Sequence, residues 1–234
     1  MSRLDELSSR LAAVRADIAQ YEAAAGRPPG SVTLLPVTKF HPASDIELLA
    51  SLGVTAVAEN REQEARAKAA ELPDVDFHMI GQIQTKKANA VARWASCVHS
   101  VDSIRLATAL SHGVDLAIDR GQRPAGTLPC YIQLSIDGDT SRGGAVHTDV
   151  PALADAISNE PNLDLAGIMC VPPRDMDPTA AFTEAAEVLA HLSSQVGRPL
   201  GFSAGMSGDM AAAIKCGSTV VRVGTAILGS RPLA

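Results

Sequence analysis

The chain has 234 residues, 46% of them hydrophobic and 20% charged, with a net charge of −6. That balance predicts a folded, soluble protein, and no apolar run approaches the length of a bilayer span. The acidic excess argues against a nucleic-acid surface, which needs a basic field to engage phosphates.

Residues 1–26 carry acids and bases throughout and contain no apolar signal core, which predicts a cytoplasmic protein. Leu4, Leu7, Leu11, Val14, Ile18 and Tyr21 recur at helical spacing and give an amphipathic N-terminal helix. Beyond residue 30, short apolar β-branched runs alternate with longer alanine-rich stretches. The runs predict strands near 32–38, 54–58, 77–80, 97–101, 128–135, 163–170, 200–203 and 218–223, with helices between them at, for instance, 103–117, 150–158 and 178–195. Eight strands in this alternation predict a single α/β domain over 1–234, a (β/α)8 TIM barrel with an additional N-terminal helix. An open doubly wound sheet would carry a glycine fingerprint after its first strand, and "VTKFHP" has none. Segments 120–127 and 135–148 read as loops, the second flexible by composition, and Lys86 and Lys87 as a solvated helix face. Cys97, Cys130, Cys170 and Cys216 are scattered, with no CxxC pair and no histidine at ligand spacing. They predict buried structural thiols, with no disulfide framework and no metal site.

In a parallel barrel the residues just after each strand gather on one face, where this fold builds its sites. The predicted strand ends supply Lys39; Glu59 and Asn60; Gly81 and Gln82; Ser100 and Asp102; Met169 and Cys170; Ser203 to Ser207; and Arg222 to Thr225. Taken alone, Lys39 is a strand-end lysine reaching solvent. Held on rigid backbone and partly screened from water, the same amine would be reactive. In "FSAGMSGDMAAAIKCG", backbone N–H groups and the hydroxyls of Ser203 and Ser207 can converge on an anion, and in "VVRVGTAILGSR" Gly224 and Thr225 offer the same. Either segment alone reads as turn and cap; both together, after strands seven and eight, point to phosphate. Arg222 lies inside an apolar run and needs either an acid partner or a ligand acceptor. Lysine, phosphate cradle and arginine together suit an aldehyde that carries a phosphate. Pyridoxal 5′-phosphate (PLP) fits, and so does the substrate of a lysine-dependent sugar-phosphate aldolase.

The ordered segments "PVTKFHP", "AENREQEARAK", "FHMIGQIQTKKAN", "VHSVDS", "GIMCVPP" and "FSAGMSGDMAAAIKCGSTVVRVGTAILGSR" run nearly end to end. By them the chain resembles the YggS/PROSC family of pyridoxal phosphate homeostasis proteins, whose barrel is similar to the N-terminal domain of alanine racemase. The resemblance implies that Lys39 holds PLP covalently as a Schiff base and that Asn60 lies beside the cofactor. It also implies that Ser203, Ser207, Gly224 and Thr225 receive the phosphate, that Met206 supports that loop and that Arg222 faces the pyridine nitrogen. The family's "VSK" and "GEN" read "VTK" and "AEN" here, leaving the lysine and asparagine in place.

An arginine opposite the ring nitrogen weakens the cofactor as an electron sink. Neither tyrosine is expected to be a second base: Tyr21 belongs to the N-terminal helix and Tyr131 falls near the start of its strand, toward the far end of the barrel. His41 is expected to be a surface or structural residue rather than a catalyst. The sequence ends soon after the eighth strand, so the cofactor face is expected to lie open to acceptor proteins. The resulting expectation is a cytoplasmic monomer that holds PLP reversibly and delivers it to apoenzymes, without robust catalysis. A low-activity amino-acid racemase and a Schiff-base aldolase are the alternatives.

Overall fold

A computed structural model describes residues 2–230. Eight parallel strands, β1 (Thr33–Pro36), β2 (Ala56–Glu59), β3 (Asp76–Met79), β4 (Ala95–Val101), β5 (Leu128–Leu134), β6 (Leu163–Cys170), β7 (Gly201–Ser203) and β8 (Val220–Val223), form one sheet in the order β1-β8-β7-β6-β5-β4-β3-β2. A parallel bridge between Val37 and Ala58, with the Thr38 N–H donating to the Ala58 carbonyl at 3.0 Å, brings β1 to β2 and closes the barrel. Each predicted strand is present, with its ends moved by a few residues at most.

Helix α1 (Arg3–Ala24) starts at Ser2, whose hydroxyl accepts from the Asp5 N–H while the Asp5 carboxylate accepts from the Ser2 N–H. Its buried face is Leu7, Leu11, Val14 and Ile18; Leu4, expected on that face, is exposed. The face lies on α2 (Ala43–Ser51), α8 (Met210–Lys215) and α9 (Thr225–Leu228), so α1 covers the outside of the barrel where its first and last strands meet. Arg3 fixes the docking through Asp45 Oδ2 at 2.6 Å and the Leu228 carbonyl at 3.0 Å.

Around the rest of the barrel, α5 (Ile104–Asp119), α6 (Val150–Asn159) and α7 (Pro178–Val196) bury Leu106, Leu110, Leu153, Ile157 and Phe182 against the strands. This apolar shell supplies most of the favourable burial, about 1.5–3 kcal/mol for each large side chain. The segment 135–148 is a loop, as expected. It folds back along β5, with the Ala145 N–H donating to the Gln133 carbonyl at 2.8 Å, and it contains two short 3-10 turns. Lys86 and Lys87 lie on another such turn rather than a helix face, and Lys87 pairs with Glu62 at 3.2 Å.

Polar side chains meet inside the barrel. His99 on β4 bonds Ser203 on β7 at 2.8 Å, and those strands are not neighbours in the sheet, so the contact crosses the inside of the barrel.

Candidate functional site at the barrel mouth

Lys39 follows β1 on a short turn that two elements hold in place. On one side the Thr38 hydroxyl donates to Glu59 Oε1 at 2.6 Å. Lys68, on α3 (Glu62–Glu71), donates to the same oxygen at 2.7 Å, to Glu64 Oε1 at 2.7 Å and to the Thr38 carbonyl at 3.0 Å. On the other side Phe40 sits at φ 68, a left-handed conformation that a non-glycine residue adopts at a cost of about 1–3 kcal/mol. Its N–H donates to Glu64 Oε1 at 2.7 Å, and the Arg61 guanidinium lies 5.1 Å from its ring centroid. Backbone strain beside a lysine, held by buried charges, is the pattern of a pre-organised site. Burial raises the Glu59 carboxyl above its ordinary range, against the opposing hydrogen bonds from Lys68 and Thr38.

Arg222 enters from β8. It is buried, and its guanidinium donates to Ser203 Oγ at 2.7 Å and to the Cys170 carbonyl at 3.0 Å. Among the described residues no carboxylate lies within ion-pair distance of it, and burial brings its pKa down to about 10. Of the two partners the sequence allowed, the acid is absent. Both present partners are neutral, so one buried positive charge still calls for an acceptor.

Lys39 and Arg222 line one cavity of ≈ 420 Å³, together with Asn60, Met206, Ser207, Gly224 and Thr225. That volume lies in the ordinary range for a small-molecule site. Seven of the eight predicted site residues thus meet at one place. Asn60 is set by close backbone packing: a Cβ on Gly81 would stand 2.0 Å from the Asn60 carbonyl oxygen, and the Ser100 hydroxyl holds the Gly81 carbonyl at 2.6 Å. The eighth, Ser203, does not line the cavity. It is fully buried, and its hydroxyl lies between Arg222 and His99 rather than in a phosphate cradle. The Met206 N–H is committed to Asp209 Oδ1 at 2.6 Å.

Behind Arg222 runs a chain that the sequence did not disclose. Ser203 meets His99 Nδ1, and His99 Nε2 lies 3.0 Å from His78 Nδ1. Tyr131, expected near the start of its strand, is instead mid-strand on β5 and stacks on His99 at 4.5 Å. Burial pushes its hydroxyl up to about 12, and it does not line the cavity. His41, expected to be a surface or structural residue, is buried 3.5 Å from Asp45. Cys97, Cys130 and Cys170 are buried free thiols, and Cys216 is half-buried.

The sequence matches the family model of the alanine racemase N-terminal domain over residues 9–232. It is 64% identical over 208 residues, 89% of this chain and 94% of the relative, to the pyridoxal phosphate homeostasis protein of Corynebacterium glutamicum. The structure is similar to that of PipY from Synechococcus elongatus, solved with PLP bound, with a TM-score of 0.80, 31% identity and coverage of 95% of this chain and 100% of the other. The alanine racemase of Corynebacterium glutamicum shares the fold at a TM-score of 0.69 and 17% identity, covering 99% of this chain and 62% of the racemase. By sequence and by overall fold, the chain belongs to the alanine racemase N-terminal domain family and, within it, to the pyridoxal phosphate homeostasis proteins.

Proposed function

We propose that this protein binds PLP at the barrel mouth through Lys39 and serves as a reservoir of it, passing it on to PLP-dependent apoenzymes. The observation that carries this reading is the convergence of Lys39 and Arg222, the latter without an acid partner among the described residues, on one cavity. When bound, the group supplies an aldehyde that a lysine amine joins reversibly, which is the chemistry of storage and release.

In this reading the residues divide the work. Thr38 and Phe40 fix where the Lys39 amine emerges. Arg222 would face the pyridine nitrogen of the bound group, where an N–H donor would disfavour its protonation. Ser207, Gly224 and Thr225 would hold the phosphate, with Met206 supporting that loop, and Asn60 would lie beside the cofactor. Ser203 serves the site through Arg222. Tyr131, half-buried and stacked on His99, does not line the cavity, so no tyrosine stands there to move a proton at a substrate carbon, which favours a carrier over a racemase. The protein is read as a cytoplasmic monomer, a state that sedimentation of the loaded protein tests directly.

The deciding experiment is an absorption spectrum of the PLP-treated protein and of Lys39→Ala, before and after borohydride, with peptide mass spectrometry. The expected result is a visible band lost in the variant and a reduced adduct on Lys39. An adduct of equal yield in Lys39→Ala would overturn the lysine assignment, and a protein that takes up no PLP would overturn the function. Incubation of the loaded protein with L-alanine is expected to give no D-alanine; conversion dependent on Lys39 would establish the racemase instead.

A further inference from the structure

Three metal-binding side chains that the cofactor site does not use meet inside the barrel. His78 on β3 and Cys97 on β4 are register partners, and His99 follows two residues after Cys97. Neighbouring residues in register, and residues two apart on one strand, share a face of the sheet. That face is the interior, because His99 reaches across it to Ser203. One donor atom from each residue lies within 4.8 Å of the others, and His78 Nδ1 is 3.0 Å from His99 Nε2. Donors bound at about 2.0–2.3 Å to one ion stand roughly 3.3–4 Å from each other. The three atoms therefore need only small side-chain rotations on a fixed strand framework.

The outer contacts suit the same arrangement. A ligating histidine commonly donates its second ring N–H to a neighbouring acceptor, which fixes the tautomer. His99 Nδ1 lies 2.8 Å from Ser203 Oγ, and a proton there leaves the Nε2 lone pair facing His78 and Cys97. Ser203 has two acceptor sites, enough for both His99 and Arg222. Cys97 and His99 are buried, while His78 is partly exposed and gives an ion a way in.

We propose that His78, Cys97 and His99 form a binding site for one thiophilic d10 metal ion, with copper(I) preferred to zinc(II). Two imidazoles and a thiolate are the donors that select these ions. Charge sets the order between them. Arg222 already leaves one buried positive charge without an acid partner among the described residues. Copper(I) with a thiolate adds no net charge beside it, whereas zinc(II) with the same thiolate adds one. On binding, the Cys97 S–H bond breaks, the sulfur bonds the ion and one proton leaves to solvent. Both histidines stay neutral and only their tautomers adjust. No electron is transferred, since the copper arrives as copper(I).

None of the three residues lines the PLP cavity, so the proposal stands independently of the cofactor reading and is tested with and without PLP. Under anaerobic reducing conditions, copper(I) is titrated into the full chain against a chromophoric copper(I) chelator, in parallel with zinc(II). The expected result is one copper(I) per chain, one proton released and an X-ray absorption shell of two nitrogens and one sulfur. Cys97→Ser and His78→Gln are each expected to weaken binding beyond the ~10–100-fold that outer-contact changes cost. Cys216→Ser, on the half-buried thiol, is expected to change nothing. Circular dichroism identifies a variant that fails to fold, and the other then carries the test. No stoichiometric ion, or affinity unchanged in both folded variants, would reduce the trio to a hydrogen-bonded histidine pair and overturn the site. Tighter zinc(II) than copper(I) would overturn the charge argument.

Discussion

The two sides of the barrel mouth hold buried cations in opposite ways. On the β1–β2 side, Lys68 meets two carboxylates and a carbonyl, all within 3.0 Å. On the β7–β8 side, Arg222 meets a hydroxyl and a carbonyl, with an imidazole chain behind them. A compensated cation is finished as a structural element, and this one fixes the turn from which Lys39 projects. A cation given only neutral partners keeps part of its field for whatever enters the cavity. The difference separates a lysine that holds the turn from an arginine whose field is left for the cavity.

Breaking the compensated side is expected to have the largest effect on stability. Lys68→Met leaves Glu59 buried with its charge unmatched and should cost about 3–5 kcal/mol, read by urea denaturation. A loss below about 1 kcal/mol would show that the network tolerates an unmatched charge and would remove the contrast. Arg222→Met should cost less, about 1–3 kcal/mol for the hydrogen-bond partners it abandons, because it also removes a charge that is costly to bury. Its main consequence is expected in PLP retention, measured by dialysis of the loaded protein, and unchanged retention would take the arginine out of the ligand site. Ser203→Ala should cost about 1–2 kcal/mol, since it leaves His99 Nδ1 and one guanidinium N–H unmet in the interior. A fall in PLP affinity is expected alongside it, and restoration by Ser203→Thr would tie that fall to the hydroxyl.

The sequence disclosed one side of this comparison far better than the other. Strands were legible because apolar β-branched runs must be buried between helices, and their ends brought Lys39, Asn60 and Arg222 to one face. The first strand was overdrawn at its end: its register with β8 stops at Pro36, the Thr38 hydroxyl bonds Glu59, and the chain then turns through Phe40. A left-handed phenylalanine has no signature of its own in the sequence. Ser203 was misplaced because a serine at a strand end can face either the mouth or the interior, and the deciding partners, His99 and Arg222, come from strands far away in the chain. The inward histidines of "FHMI" and "VHS" were hidden for the same reason: spacing along one strand cannot reveal a donor on the next.

The smallest expected effect is also the most specific. Glu59 is fully buried, its Oε2 has no hydrogen-bond partner among the described residues, and burial raises its pKa above the ordinary carboxylate value despite Lys68 and Thr38. A carboxyl whose folded pKa exceeds its unfolded value binds more protons in the native state. Its contribution to stability is therefore fully present below the unfolded value, about 4.3, and is lost as the pH rises through the folded value. Glu59→Gln keeps an oxygen for the Lys68 and Thr38 hydrogen bonds, removes the titration, and leaves Lys68 its pairing with Glu64. Near neutral pH the net change should be within about 1 kcal/mol of the wild type, because the lost ion pair is offset by the charge no longer buried. Denaturant midpoints across the acid-to-neutral range should show the wild-type protein losing stability relative to the variant as the pH rises above that unfolded value. Parallel curves would mean that Lys68 neutralises Glu59 completely, and the β1–β2 side would then hold its charges without strain.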